Sequence, residues 1–404
     1  MFMHKSANLS ATALAIAAAG WGLMAGPAWA DESADSLAAA LAGGITQLDL
    51  RLRYERVEQD NALDDADALT LRTRLGYSTR AWNALTAFVE MENVSALVDD
   101  YAPENAGYSV VADPEGAEVN QYGLRYNGVP GLAATLGRSK LILDNARWVG
   151  NVGWRQNEQT FDGVFLKYTG IPALTGQYAY LSNVNTITGT NVDLDGHLLN
   201  LGWALLPQLT LTGYAYLLDY MAAAATDFDT YGLRAAGSAP ITDAVKLIYA
   251  AEYARQKAET AAADFDADYL LAELGVGFKP VTVTVGYEVL GSDGGAFGLQ
   301  TPLATKHAFQ GWADVFLTTP PTGVRDLYVS ASGSAGPVKL AAAYHQFSAD
   351  ETTPTLDDYG SEIDLSAGMK LVGKLGGLVK YARYSADDFG VDTDKLWVQL
   401  DYAF

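Results

Sequence analysis

The last ten residues, KLWVQLDYAF, carry the pattern that most constrains the fold of this chain. Leu396, Val398, Leu400, Tyr402 and Phe404 occupy every second position, and mostly polar residues fill the positions between them. A period of two places the five apolar side chains on one face of a strand. The pattern therefore predicts a strand whose two faces meet different surroundings.

The same alternation recurs in segments of about ten residues along the chain, which is typical of a closed sheet with lipid outside and water inside. The predicted fold class is all-β: a transmembrane antiparallel β-barrel of about 18 strands, with 16 as the alternative count. The strand candidates are 45–57, 68–80, 84–94, 118–128, 132–140, 160–168, 173–184, 195–204, 209–220, 230–238, 245–255, 268–278, 281–292, 326–334, 338–347, 362–371, 377–385 and 395–404.

The connections alternate between two kinds, as they do in bacterial barrels. Short periplasmic turns are predicted at prolines, which cannot donate to a sheet ladder: Pro130, Pro172, Pro207, Pro240, Pro280 and Pro337. Long acidic extracellular loops are predicted at 60–67, 99–118, 259–268, 350–358 and 387–394. Residues 307–316 could form a nineteenth strand. An odd number of strands would put the two chain ends on opposite sides of the membrane, so we assign residues 307–316 to an outer loop.

The first thirty residues predict a secretory signal, with Lys5 in a basic start, an apolar stretch and Ala28-Trp29-Ala30 as the cleavage site. The predicted division is therefore a signal peptide at 1–30 and a barrel domain at 31–404. Past the signal, no run of about 18 apolar residues suits a helical span. We expect the bacterial outer membrane as location, with its lipid and lipopolysaccharide as neighbours and the barrel assembly machinery reading the strand that ends in Phe404.

Composition argues against several other functions. A formal charge of −22 argues against nucleic acid as a partner, and the lack of cysteine excludes thiol chemistry and disulfides. His197, His307 and His345 lie far apart without a nucleophile motif, so no enzyme is predicted. The acidic run at 60–67 lacks the spacing of a calcium hand. No cofactor and no metal site is expected.

Strand parity assigns the charged residues to the bore. The predicted pore-lining and solute-binding residues are Arg51, Arg53, Arg72, Arg74, Arg125, Arg147, Arg155, Glu90, Glu92, Glu252, Glu273, Glu288 and Asp364. They suggest a basic wall that faces carboxylates across water. The alternative is that the arginines simply pair with neighbouring acids. Arg147 and Arg155 lie in a Gly-rich stretch, 136–163, that could fold back into the barrel mouth or pack as an outer loop without solute contact.

Four segments resemble motifs of the alginate export family of outer-membrane porins. They are LRTRLGYSTR (71–80), VADPEGAEVNQ (111–121), LGRSKLILDNARWVGNVGWRQNEQTFDG (136–163) and HAFQGWADVFLTTPPTGVRDLY (307–328). The resemblance implies an 18-stranded barrel with an arginine-lined channel for an anionic polysaccharide. Together with the residues it predicts a porin for passive diffusion of hydrophilic, anionic solutes or oligosaccharides. A general or uptake porin for small polar solutes, and a plugged structural or adhesive barrel, are the alternatives.

Overall fold

A computed structural model describes residues 33–222 and 225–404 of the chain. The predicted signal peptide at 1–30 lies outside the described residues. The described part begins with a short helix, Leu37–Ala42, whose first turn is capped by the side chain of Ser36. No helix in this part has the length and apolar character that a membrane crossing requires.

Eighteen antiparallel strands form one closed sheet, as the alternation predicts. In chain order, β1 to β18 are Ile45–Gln59, Ala66–Ser78, Leu85–Asp100, Gly116–Val129, Leu132–Ser139, Thr160–Tyr168, Leu174–Asn185, Asn191–Leu206, Leu209–Tyr220, Asp227–Pro240, Val245–Glu259, Asp264–Phe278, Val281–Leu290, Val324–Ala335, Val338–Thr353, Leu356–Val372, Leu375–Ala386 and Thr393–Ala403. Each predicted strand candidate overlaps one of them.

The barrel closes because β1 pairs with β2 on one side and with β18 on the other. Leu52 lies opposite both Leu71 and Leu400, so apolar side chains form a continuous row on the outside of this seam. One residue earlier, Arg51 lies opposite both Arg72 and Asp401 on the inside. A register slip by one residue would exchange the two faces, so the pattern fixes the register.

The outer face of the wall is apolar and exposed, as a lipid-facing surface would be. On β8, Leu199 and Leu201 have 53% and 46% of their surface exposed, while the intervening Asn200 is buried in the bore. On β12, Leu274 is 57% exposed between the inward Glu273 and Gly275. A soluble sheet protein would cover such side chains, so this surface needs an apolar solvent.

The predicted asymmetry of the connections holds only in part. The prolines do lie in or beside short turns, but two of the predicted long loops are wrong. Residues 259–268 and 350–358 belong mostly to strands, and the connections there are only 260–263 and 354–355. The ladders continue through the acidic residues, because an exposed strand end tolerates charge as well as a loop does.

Residues 307–316 lie in the loop between β13 and β14, as assigned, and the nineteenth strand is wrong. This loop holds a short 3-10 helix, Lys306–Ala308, and a small hairpin in which Ser292–Asp293 pairs with Phe297–Gly298. Gln310, Gly311 and Asp314 have φ values of 50°, 80° and 63°. Left-handed backbone at these positions prevents an extended strand.

Candidate functional site in the bore

Four arginines form a ladder on the inside of β1 and β2. Arg51, Arg53, Arg72 and Arg74 are each less than 10% exposed, and strand parity directs them all inward as predicted. Buried cations are costly unless they are paired with acceptors. The ladder therefore either has built-in partners or needs a solute to supply them.

Most of the ladder has built-in partners. Arg74 pairs with Glu92 and, at 3.3 Å, with Glu158. Arg51 pairs with Asp401 at 2.8 Å.

Arg53 and Arg72 differ in how fully they are paired. Arg53 pairs with Asp113 at 3.4 Å and donates to Gln399 at 2.9 Å. Arg72 is 2% exposed and donates to Asp49 through Nη2, but its Nε and Nη1 have no acceptor among the described residues. Arg72 is thus the member of the ladder with unused donors.

The stretch between β5 and β6, residues 140–159, folds into the bore, and we call it the first infolded loop. Arg155 pairs with Glu55 on β1 at 2.9 Å, whereas Trp148 Nε1 donates to Glu252 on β11 at 2.8 Å. In a ring of eighteen strands, β11 lies almost opposite β1. The loop therefore spans the bore, which agrees with the first of the two arrangements that the sequence left open.

The connection between β13 and β14, residues 291–323, forms the second infolded loop. The amide of Ala313 donates to Glu362 on β16 at 2.7 Å, and Lys395 on β18 donates to Asp314 at 3.1 Å. The two loops also contact each other, since Arg155 pairs with Asp314 at 2.8 Å. Together the two loops narrow the bore.

His307 joins the two loops to the wall. Its ring stacks on Trp154 of the first loop, with 4.7 Å between centroids and 2° between planes. Nδ1 lies 2.7 Å from an Asp314 oxygen, and Nε2 lies 2.8 Å from Lys380 Nζ. Burial lowers the pKa of His307 to about 3, so the imidazole is neutral. It can then donate to Asp314 and accept from Lys380.

Three of the predicted acidic residues, Glu252, Glu273 and Glu288, lie on the other side of the bore. Glu252 pairs with Arg234 at 2.5 Å, and Glu288 pairs with Arg147 of the first loop at 2.8 Å. Glu273 is half-buried and accepts from the Tyr328 hydroxyl at 2.6 Å.

Asp364 and two residues of the early strands complete the predicted set. Asp364 is buried, and its Oδ2 lies 3.8 Å from Nε2 of His345. Glu90 and Arg125 are half-buried. Glu90 accepts from Asn120 at 2.8 Å, and the Arg125 guanidinium carbon lies 5.2 Å from the Phe88 ring centroid. All thirteen predicted residues thus lie in the bore or its loops, while their contacts with a solute remain a prediction.

The electrostatic arrangement differs from the predicted basic wall facing acids across water. Carboxylates stand beside the ladder on β3 and β18, and the arginines of the first loop reach the acids on β1 and β13. Short ion pairs therefore replace most of the open transverse field. The physical reason is that charges buried in a narrowed bore gain more from contact pairing than from separation.

Sequence reasoning missed several residues of this site. Parity in GLVKYARYS would have placed Lys380 inward, and it is 3% exposed there. Asp113 and Asp314 lie in loops, where no periodic signal marks them. Of the other two described histidines, His197 contacts Tyr178 and His345 contacts Asp326. Residues 33–222 and 225–404 contain no cluster of three or more potential metal ligands.

Comparisons with known proteins place the fold. No family model and no curated protein matches the sequence. Many solved structures match this chain, and three of them illustrate the fold. OccAB4 of Acinetobacter baumannii matches with a TM-score of 0.70 and 14% identity over 89% of this chain and 98% of that one. OpdK of Pseudomonas aeruginosa with vanillate gives 0.70 and 14%, over 90% and 99%.

The third structure, the outer membrane protein OpdK of the same organism, gives a TM-score of 0.68 and 14% identity over 89% of this chain and 98% of that one. Identities this low show a shared fold and do not test family membership. The motif resemblance to the alginate export family therefore stays a prediction. The chain has the closed all-β barrel fold of the outer membrane protein OpdK.

Proposed function

We propose that the chain is a passive outer-membrane channel for small organic anions. The observation that carries this proposal is a bore narrowed by two infolded loops beside a ladder of four buried arginines. Guanidinium groups recognise carboxylates through paired hydrogen bonds. The one GxxxxGK match, at 368–374, is followed by Leu375 instead of the Ser or Thr that a nucleotide-binding loop requires, so diffusion down a gradient is the mode of transport we infer.

Arg72 is the side chain that we expect to meet the solute. Its Nε and Nη1 lack acceptors among the described residues, and a carboxylate could accept from either one. OpdK was solved with vanillate, an aromatic carboxylate, in an architecture that this chain shares. We therefore infer solutes of that size and charge.

A polysaccharide is the finer alternative that the motif resemblance suggests. A uronate chain would also present carboxylates to the ladder, but it needs a bore that stays open along its length. Two loops that cross the bore and bond to each other favour a short solute over a polymer. We therefore rank an alginate-like oligosaccharide behind small aromatic or aliphatic carboxylates.

Ion selectivity tests this function. The substitution Arg72→Gln should lower the anion-to-cation permeability ratio about five-fold. The reason is that the attraction between a cation and a passing carboxylate is worth about 1 kcal/mol even in water. Reversal potentials across planar bilayers under a potassium chloride gradient, and then with potassium vanillate, measure the ratio.

Arg56→Gln is the matched control, since Arg56 lies on the outer face of the same wall. It should leave the ratio unchanged. Equal ratios for the wild type and Arg72→Gln would contradict the role given to Arg72.

A closed structural barrel is a second candidate, favoured by the same infolded loops. The two functions differ in conductance: a channel passes a steady current, and a closed barrel passes none. Absence of steady current from folded wild-type protein would therefore favour the closed barrel and reject the channel.

The proposed membrane location has its own test. Leu199→Arg puts a charge on the outer face in the middle of β8 and should destabilise the protein in bilayers by about 2–4 kcal/mol. Val372→Arg, at the end of β16 and 71% exposed, should cost only about 0–1 kcal/mol near the interface. Urea unfolding in lipid vesicles measures both, and equal costs would contradict a bilayer around the barrel.

A further inference from the structure

A buried lysine of the wall lies where the two infolded loops meet. Lys380 on β17 is 3% exposed, and its ammonium group lies 2.8 Å from Nε2 of His307. The partner is therefore an imidazole of the second infolded loop. Such a cation keeps its charge in a dry site only if its surroundings replace water.

Three tryptophans from three different segments surround the ammonium group. The Trp312 ring of the second loop is 3.6 Å away, the Trp154 ring of the first loop 4.0 Å, and the Trp397 ring of β18 5.3 Å. Indole faces are the aromatic surfaces that attract a cation most strongly. Lys380 thus contacts both loops and the neighbouring strand at once.

The surrounding contacts connect the loops through the same point. His307 bonds to Asp314, which in turn pairs with Arg155 of the first loop and Lys395 of β18. Trp154 contacts both the His307 ring and the Arg53 guanidinium, whose carbon is 4.1 Å from the indole centroid. Removing the ammonium group would leave His307 Nε2 without its donor and the three indoles without the cation they surround.

We propose that Lys380 is the positioning residue that holds both infolded loops against the wall and so sets the width of the constriction. The transport part of this inference rests on the proposed channel function, and the loop-holding part does not. The charge and the length of the side chain both matter, because a neutral side chain lacks the cation's electrostatic attraction to the indole faces and a short one cannot reach them. Loops released from this contact would move within the bore.

Two measurements test the proposal on the full chain. The first is tryptic cleavage of the folded, detergent-solubilised protein after Lys306 and Arg155, which lie in the two loops. The second is single-channel conductance with its current noise. Lys380→Met keeps the length and loses the charge, and it should speed loop cleavage about tenfold by releasing local structure. It should also give larger and noisier currents.

Controls separate a specific role from general damage. Lys380→Arg retains a cation that stacks on indoles and should restore much of the protection. Lys167→Met, at an exposed lysine of β6, should behave as the wild type. Should Lys380→Met fail to assemble, Trp312→Ala removes the nearest ring and should expose the same cleavage sites.

The outcomes are distinguishable from failure of the channel function. Wild-type rates of cleavage in Lys380→Met, or in Trp312→Ala where that variant is used, would overturn the proposal. A wild-type protein that carries no current, combined with fast cleavage of Lys380→Met, would reject the channel and keep Lys380 as the residue that holds the loops.

Discussion

Removal of the second infolded loop is expected to raise the unitary conductance about tenfold, because an 18-strand barrel without infolded segments encloses a wide aqueous bore. The change is feasible, since Leu290 pairs with Val324 and the two ends of the loop lie side by side. A short Gly-containing turn can replace residues 291–323 without altering the pairing of β13 with β14. Conductance in planar bilayers at fixed salt measures the result.

The matched control shortens residues 186–190, the exposed connection between β7 and β8. This variant should conduct as the wild type does. A loop-deleted protein with wild-type conductance would show that ions bypass this constriction, and the site described above would then not limit transport.

Arg74→Ala is expected to reduce the free energy of unfolding by about 3–5 kcal/mol, the cost of leaving a buried charge without its partner. Glu92 and Glu158 both pair with Arg74, and both are at most 2% exposed. Arg56→Ala removes a partly exposed cation with three acidic neighbours and should cost at most about 1 kcal/mol. Urea titrations of vesicle-bound protein, followed by tryptophan fluorescence, compare the two variants.

A combined variant isolates the physical reason. Arg74→Ala together with Glu92→Gln and Glu158→Gln removes the unpaired charges and should regain most of the lost stability. If the combined variant is as unstable as Arg74→Ala alone, lost packing rather than charge accounts for the effect.

The sequence allowed the wall to be predicted in detail because period-two alternation is a local property. The pattern around Leu52 and Leu400 identifies both the strands and the faces that meet at the seam. The same reasoning placed Arg72 inside, next to the outward Leu71. Boundaries failed where charged strand ends resemble loops, as in residues 350–358.

The contents of the bore could be predicted only in outline, because its contacts join segments far apart in the chain. The Gly-rich stretch 136–163 left open whether the first loop returns to the barrel or packs outside it. Nothing in the sequence indicated that Trp154, Trp312 and Trp397 would meet around Lys380. Such contacts depend on the three-dimensional path of aperiodic loops, for which the residue pattern supplies no register.

The pairing of β1 with β18 makes the last strand the one that closes the sheet. A barrel that lacked Thr393–Ala403 would leave β1 and β17 with free edges, and hydrocarbon cannot satisfy their amide and carbonyl groups. Partly inserted forms should therefore be too costly to accumulate, and membrane entry should be an all-or-none event. The eleven residues of β18 close the sheet, and only the closed sheet satisfies the backbone groups of the other seventeen strands inside a bilayer.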